Sequence, residues 1–174
     1  NRSSMFRTRG RRRVIVPGIA SEWVVSADGL TWHFTIRKGV KFHDGTDLTA
    51  EDVLWTLRHT AGPQAKEYAT GGSSITYSGI MDRIELTGPD RVSVTLKTQS
   101  ADLPTDISEA SGHFLGVVLP KRARLHDEKD EAAYDRNPIG PGIMRLVKHV
   151  PSSQMTFERF ADYYYQPKNG LPID

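Results

Sequence analysis

From Thr31 to Arg37 apolar and polar residues alternate without a break. Trp32, Phe34 and Ile36 fall on one side, and Thr31, His33, Thr35 and Arg37 on the other. Period two of this kind predicts a half-buried antiparallel strand. Burying its aromatic face contributes roughly 1.5–3 kcal/mol per large side chain, so the strand anchors a core. Glu22–Ser26, with Trp23, Val24 and Val25, reads as its partner, and Asp28-Gly29 as a two-residue hairpin turn. Beyond Val40 and Phe42 the period changes. Thr49-Ala50-Glu51-Asp52 resembles a capping box, and Val53, Leu54, Leu57 and Ala61 form the stripe of a helix that Gly62-Pro63 ends. Pro63 is placed to open a second short helix through Tyr68.

The same units recur downstream. Ile80–Leu86, the Gly88-Pro89-Asp90 turn and Arg91–Lys97 predict a second hairpin, with Val92, Val94 and Leu96 buried and Arg91 and Thr95 wet. Pro104–Ala110 suits a short helix, Phe114–Leu119 is a brief apolar segment, and Pro120 starts a charged helix over 121–124. Asn137-Pro138-Ile139-Gly140-Pro141-Gly142 is a rigid, turn-rich junction. A third hairpin follows: Ile143–Val150, the Pro151-Ser152-Ser153 turn, then Gln154–Phe160. Antiparallel hairpins with a few short helices between them predict an α+β fold.

Composition narrows the function classes. A chain of 174 residues can bury one sizeable core and is short for two. With 37% hydrophobic and 25% charged residues it is neither disordered nor fibrous, and no run reaches the ~20 apolar residues of a membrane-spanning helix. The absence of cysteine excludes disulfides, thiolate catalysis and cysteine-based zinc sites. Net charge is +2, yet residues 1–13 alone hold six arginines and no acid, so the remainder is net acidic. A basic arm can bind nucleic acid or anionic lipid. No aromatic-interleaved basic surface follows it, so the arm is expected to be a solvated terminus or surface hairpin, with no nucleic-acid partner. No apolar segment follows the arginines, so any export signal is expected to lie outside this chain.

No catalytic constellation emerges. His33 lies on the polar face of a strand and His43 in a turn beside Asp44, with neither helical spacing nor a cysteine partner, so no metal site is expected. His59, His113, His126 and His149 are scattered singly. Asp44, Asp47, Glu51 and Asp52 form an acidic cluster, but a turn and a helix N-terminus account for it better than paired-carboxylate catalysis. Trp23, Trp32 and Trp55 suit a core better than a sugar-stacking platform. Phosphate-binding loops and nucleophile elbows are missing, so an enzyme is not expected. These features describe a binding module.

Several ordered blocks are more specific. Pro17-Gly18-Ile19-Ala20-Ser21-Glu22-Trp23 precedes Asp28-Gly29-Leu30-Thr31-Trp32, then Phe34-Thr35-Ile36-Arg37-Lys38-Gly39-Val40-Lys41-Phe42-His43-Asp44-Gly45, then Thr49-Ala50-Glu51-Asp52-Val53. Asp90–Leu96, Asn137–Gly140 and Thr156–Arg159 continue the order. Together they resemble extracellular solute-binding proteins of family 5, the dipeptide-, oligopeptide- and nickel-binding components of ABC importers. One departure is Gly140-Pro141-Gly142-Ile143-Met144, where the family usually has Gly-Thr-Gly-Pro and an aromatic.

The resemblance implies part of a periplasmic-binding-protein type II-like fold, since family members are roughly three times longer and close two lobes around a ligand. Residues 1–13 would be a basic arm, 14–140 the small α+β subdomain of the first lobe, and 141–174 a hairpin and tail returning toward the main sheet. The second lobe would be absent. It further implies ligand contacts at Ser111, Gly112, His113 and Phe114, no cofactor, and two partners: a peptide, nickel complex or other small solute, and an ABC permease. The location implied is periplasmic or extracellular, at the membrane through the transporter. The alternative from another class is a stand-alone structural or protein-interaction module derived from this subdomain, with a sheet edge covered by a partner or a second copy.

Overall fold

The structure is a computed structural model, described here over residues 5–9, 14–63, 65, 77–108, 117–122 and 136–165. Its first hairpin pairs β1 (Phe6–Arg9) with β2 (Val14–Pro17). The arginine-rich segment is thus partly built into a hairpin. Met5, just before it, is fully buried, and its carbonyl accepts the Ala20 N–H at 3.0 Å.

The central element is a four-stranded antiparallel sheet in the order β3-β4-β6-β5, comprising β3 (Ala20–Val25), β4 (Thr31–Ile36), β5 (Met81–Gly88) and β6 (Arg91–Leu96). The second hairpin therefore inserts its later strand next to β4. Trp32 and Phe34 of β4 lie opposite Val94 and Val92 of β6 in register, and with Ile36 they share one buried face with Leu96 and Ile84. Helix α1 (Ala50–Thr60) covers that face with Val53 and Leu57, continued by Ala61. Arg58 fastens it to the sheet edge, its guanidinium donating to the Ile84 carbonyl from Nε and Nη2 at 3.0 and 2.8 Å. A second short helix, α2 (Leu103–Asp106), adds Leu103, with Ile107 just beyond it. The predicted helix is shorter than expected and begins one residue earlier; Ala110 and most of the segment after Pro63 lie outside the described residues.

One local expectation changes. The Asp28-Gly29 turn is not a two-residue turn, because Ser26 donates its N–H to the Thr31 carbonyl at 2.8 Å and four residues lie between them. A two-residue type I′ turn needs positive φ at both central residues. Here only Gly29 takes it, at 71°, while the Asp28 carboxylate accepts the Leu30 N–H at 3.0 Å. Ser93, on the side of β6 that Arg91 and Thr95 share, is buried. Its hydroxyl lies 2.7 Å from both His33 Nδ1 and Thr87 Oγ1, which cover it from the strands on either side.

β7 (Met144–Val150) and β8 (Gln154–Arg159) form a separate two-stranded sheet, turned at Ser152 with φ 61°. Its side chains are mostly exposed. Ile143 and Phe160 at its base are buried, joined by a Phe160 N–H to Ile143 carbonyl bond of 2.7 Å.

Candidate functional site

Ser111, Gly112, His113 and Phe114, the ligand contacts implied by the resemblance, lie outside the described residues. The chain on either side of them is described. Before them, Asp106 on α2 faces Tyr77 across a cleft of about 330 Å³ walled by Ile80, Leu96 and Leu103. Burial and the neighbouring Asp106 carboxylate, which the phenol hydrogen-bonds, push the Tyr77 hydroxyl up to about 12. It is a neutral hydrogen-bonding group throughout the physiological range. After them, α1 holds the chain at two points. Asp52 Oδ1 accepts the Lys121 N–H at 2.9 Å, and Thr56 Oγ1 accepts the Leu119 N–H at 2.9 Å while donating to its carbonyl at 3.3 Å. Asp52 and Thr56 are four residues apart, so one helix face presents both.

A second cleft, of about 240 Å³, lies where the turn-rich junction meets the loop between β4 and α1. Val40 and Phe42 are buried at the base of that loop, which is closed by Leu48 N–H to Val40 carbonyl (2.8 Å) and Phe42 N–H to Thr46 carbonyl (2.8 Å) bonds. His43 and Asp44 therefore project from its tip. His43 donates its own N–H to the Gly140 carbonyl at 3.0 Å. Its ring accepts the Gly140 N–H at Nδ1 (3.3 Å), contacts the Gly142 carbonyl through Nε2 (2.9 Å), and meets Phe160 edge-on at 5.1 Å. Burial holds the imidazole below the ordinary histidine range, with Arg145 adding to that effect; the Gly142 bond and Asp44 oppose it. Arg145 also lines this cleft and pairs with Glu158 across β7–β8.

The four acids near Asp44 do not act as a unit. Asp44 pairs with Arg122 at 2.5 Å, Asp47 with Lys41 at 2.7 Å and Glu51 with Lys121 at 2.8 Å, while Asp52 is buried. His33 and His43 belong to different networks, and among the described residues no three His, Cys, Asp or Glu side chains gather as metal ligands. Of the tryptophans, Trp32 is in the core, Trp23 packs against it, and Trp55 stacks on His59 at 3.9 Å between ring centres. Sequence reading did not anticipate the role of His43, whose partners are backbone groups with no side-chain signature. Among the described residues no helix is long and apolar enough to cross a membrane.

The sequence profile described as bacterial extracellular solute-binding proteins, family 5 middle, matches residues 14–172. The chain belongs to this family. Di/tripeptide-binding protein 2 of Pseudomonas aeruginosa is 27% identical over 162 residues, covering 86% of this chain and 30% of that protein. The oligopeptide-binding protein AppA of Bacillus subtilis, solved in complex with a nonapeptide, superposes with a TM-score of 0.75 at 26% identity, over 94% of this chain and 31% of that one. The periplasmic binding protein DppA of Helicobacter pylori, solved with the peptide STSA, superposes with a TM-score of 0.78 at 22% identity, over 95% of this chain and 34% of that one. The fold is thus an α+β portion of the periplasmic-binding-protein type II architecture. The chain spans about a third of the length of these relatives.

Proposed function

We propose that this chain is part of an ABC-importer solute-binding protein, which captures a peptide, nickel complex or similar small solute and delivers it to a membrane permease from the periplasmic or extracellular side. The family match across 14–172 carries this reading. In it, residues 14–140 are the small subdomain of the first lobe, and 141–174 are a hairpin and tail returning toward the main sheet. Ser111, Gly112, His113 and Phe114 contribute to the ligand cleft. No bond is made or broken, and preferential binding to the closed state drives lobe closure. Support comes from the neighbourhood of the proposed contacts: α1 fixes the chain after them at Leu119 and Lys121.

A cleft needs two walls, so the 174-residue chain alone should bind solute weakly. Calorimetry against dipeptides, oligopeptides and nickel–histidine complexes tests both parts of the reading. Binding is expected to a longer polypeptide that includes the second lobe, and not to residues 1–174 alone. Tight binding by the short chain would overturn the two-lobe requirement. Failure of the longer protein to bind any such solute would overturn the transport reading.

A second reading, a stand-alone interaction module, is favoured by one observation. Met144, Val147, Val150, Met155 and Phe157 on β7–β8 are 37–58% exposed. A concentration-independent dimer in light scattering would support that reading, and a monomer would count against it.

A further inference from the structure

The loop tip that carries His43 and the junction that leads into β7–β8 are joined by the His43 backbone N–H, which donates to the Gly140 carbonyl at 3.0 Å, and by the His43 ring, whose hydrogen-bond partners are both backbone groups. Backbone partners have fixed roles: Gly140 N–H can only donate and the Gly142 carbonyl can only accept. With Gly140 N–H at Nδ1 and the Gly142 carbonyl at Nε2, both contacts are satisfied together in a single state of the ring. That state is the neutral imidazole with its proton on Nε2. A second proton, on Nδ1, would set two donors against each other at Gly140. We propose that His43 is a proton-controlled latch: the neutral ring adds two bonds to the main-chain bond that ties the junction, and through it the β7–β8 hairpin, to the four-stranded unit, and protonation releases the ring's share of that tie.

The surroundings favour a sharp response. Asp44, beside His43 on the loop, is engaged by Arg122, and Lys41 and Asp47 at the base of the loop pair with each other. From β7, Arg145 faces the ring, and Glu158 of β8 occupies Arg145. Residues 137–142 of the junction contain no titratable side chain, and Phe160 offers only its ring edge. Each nearby carboxylate is already paired, which leaves the imidazolium without a dedicated counter-ion on the described elements. The neutral ring, by contrast, is hydrogen-bonded at both nitrogens. β7–β8 shares no strand pairing with the four-stranded sheet, so losing the latch can loosen the hairpin without unzipping the core.

The test uses the full chain labelled with ¹⁵N. Ring nitrogen shifts of His43 are followed by NMR from about pH 7.5 to about pH 5, alongside amide-exchange protection of Gly140. The Ile36 and Leu96 amides, bonded to Asp90 and Leu30 within the sheet unit, serve as references. The expected result is an Nε2–H tautomer at the upper pH. Gly140 protection should fall by about tenfold for each pH unit below the ring's own pKa, with the references unchanged. In His43→Gln the same amide should show no step in that range. A ring protonated at Nδ1 in the neutral form, or a Gly140 protection that does not follow the ring titration, overturns the proposal. So does a step that persists in His43→Gln. The wild-type titration decides the matter alone if that variant does not fold.

Discussion

Asp52 in α1 accepts the backbone N–H of Lys121, 69 residues further along the chain, at 2.9 Å. Its other carboxylate oxygen accepts both the N–H and the hydroxyl of Thr49, at 2.9 and 2.8 Å. One buried side chain thus caps its own helix and pins a distant segment to it. Asp52→Ala leaves those part-buried donors without their acceptor, and is expected to cost about 1–3 kcal/mol of unfolding free energy. Asp52→Asn keeps one oxygen acceptor and should lose less. Urea denaturation of the two variants distinguishes them; equal losses would mean that the single oxygen acceptor kept by asparagine contributes nothing.

Gly62, two residues beyond the end of α1, packs tightly against the sheet. A Cβ there would lie 2.9 Å from Ile84 Cδ1 and 3.1–3.2 Å from the Arg58 backbone. The backbone neighbours cannot yield as a flexible side chain would. Gly62→Ala should therefore destabilise by about 1–3 kcal/mol through overpacking. Gly39→Ala is the control for a different mechanism: its Cβ would meet nothing within 4 Å, but φ is +74°. Replacement there should cost about 1–2 kcal/mol from backbone strain alone. Removing the Ile84 Cδ1 contact with Ile84→Val should rescue the first variant in part, leaving the Arg58 backbone clash, and should not rescue the second in thermal unfolding.

The contrast between local and distant partners explains what was legible in the sequence. The alternation of Trp32, Phe34 and Ile36, the Thr49 cap and the two later hairpin turns are local patterns with a defined period or turn chemistry, and each element formed where they indicate. Sheet order was not legible, because alternation says which face is buried and not which strand is the neighbour. The burial of Ser93 was not legible for a related reason: its hydroxyl is covered by His33 and Thr87, which come from two other strands. Asp52 and His43 were assigned to a cap and a turn. Both assignments hold locally, but the partners that give them weight are backbone groups of Lys121, Gly140 and Gly142.

Acid should weaken the tip of the loop between β4 and α1. Burial alone would raise the Asp44 carboxyl, but bonds from the Thr46 hydroxyl, Arg122 and the Thr46 N–H outweigh it, and the group lies below the usual aspartate range. A carboxylate depressed in the folded state contributes stability above its unfolded pKa and loses it as pH falls through the folded one. Wild type should accordingly lose more stability between about pH 5 and about pH 2 than Asp44→Asn does. Unfolding midpoints measured across that range check the sign. A steeper acid loss in the variant would show that Arg122 does not stabilise the charged carboxylate.

Two phenylalanines make the proposed place of the chain in a longer protein measurable. Phe34 is fully buried in the sheet core, and Phe157, opposite Leu146 on β8, is 49% exposed. Phe34→Ala removes a ring from a filled site and should cost about 3–5 kcal/mol in any context. Phe157→Ala should stay within about 0.5 kcal/mol in the 174-residue chain, where the ring borders solvent. If 141–174 returns to a larger sheet, that ring is covered in the longer polypeptide, and the same change should there cost at least about 1.5 kcal/mol. Denaturation of both variants in both lengths is the measurement. A Phe157 cost that stays small in the longer protein would leave β7–β8 uncovered there, and the return of the hairpin to a main sheet would have to be abandoned.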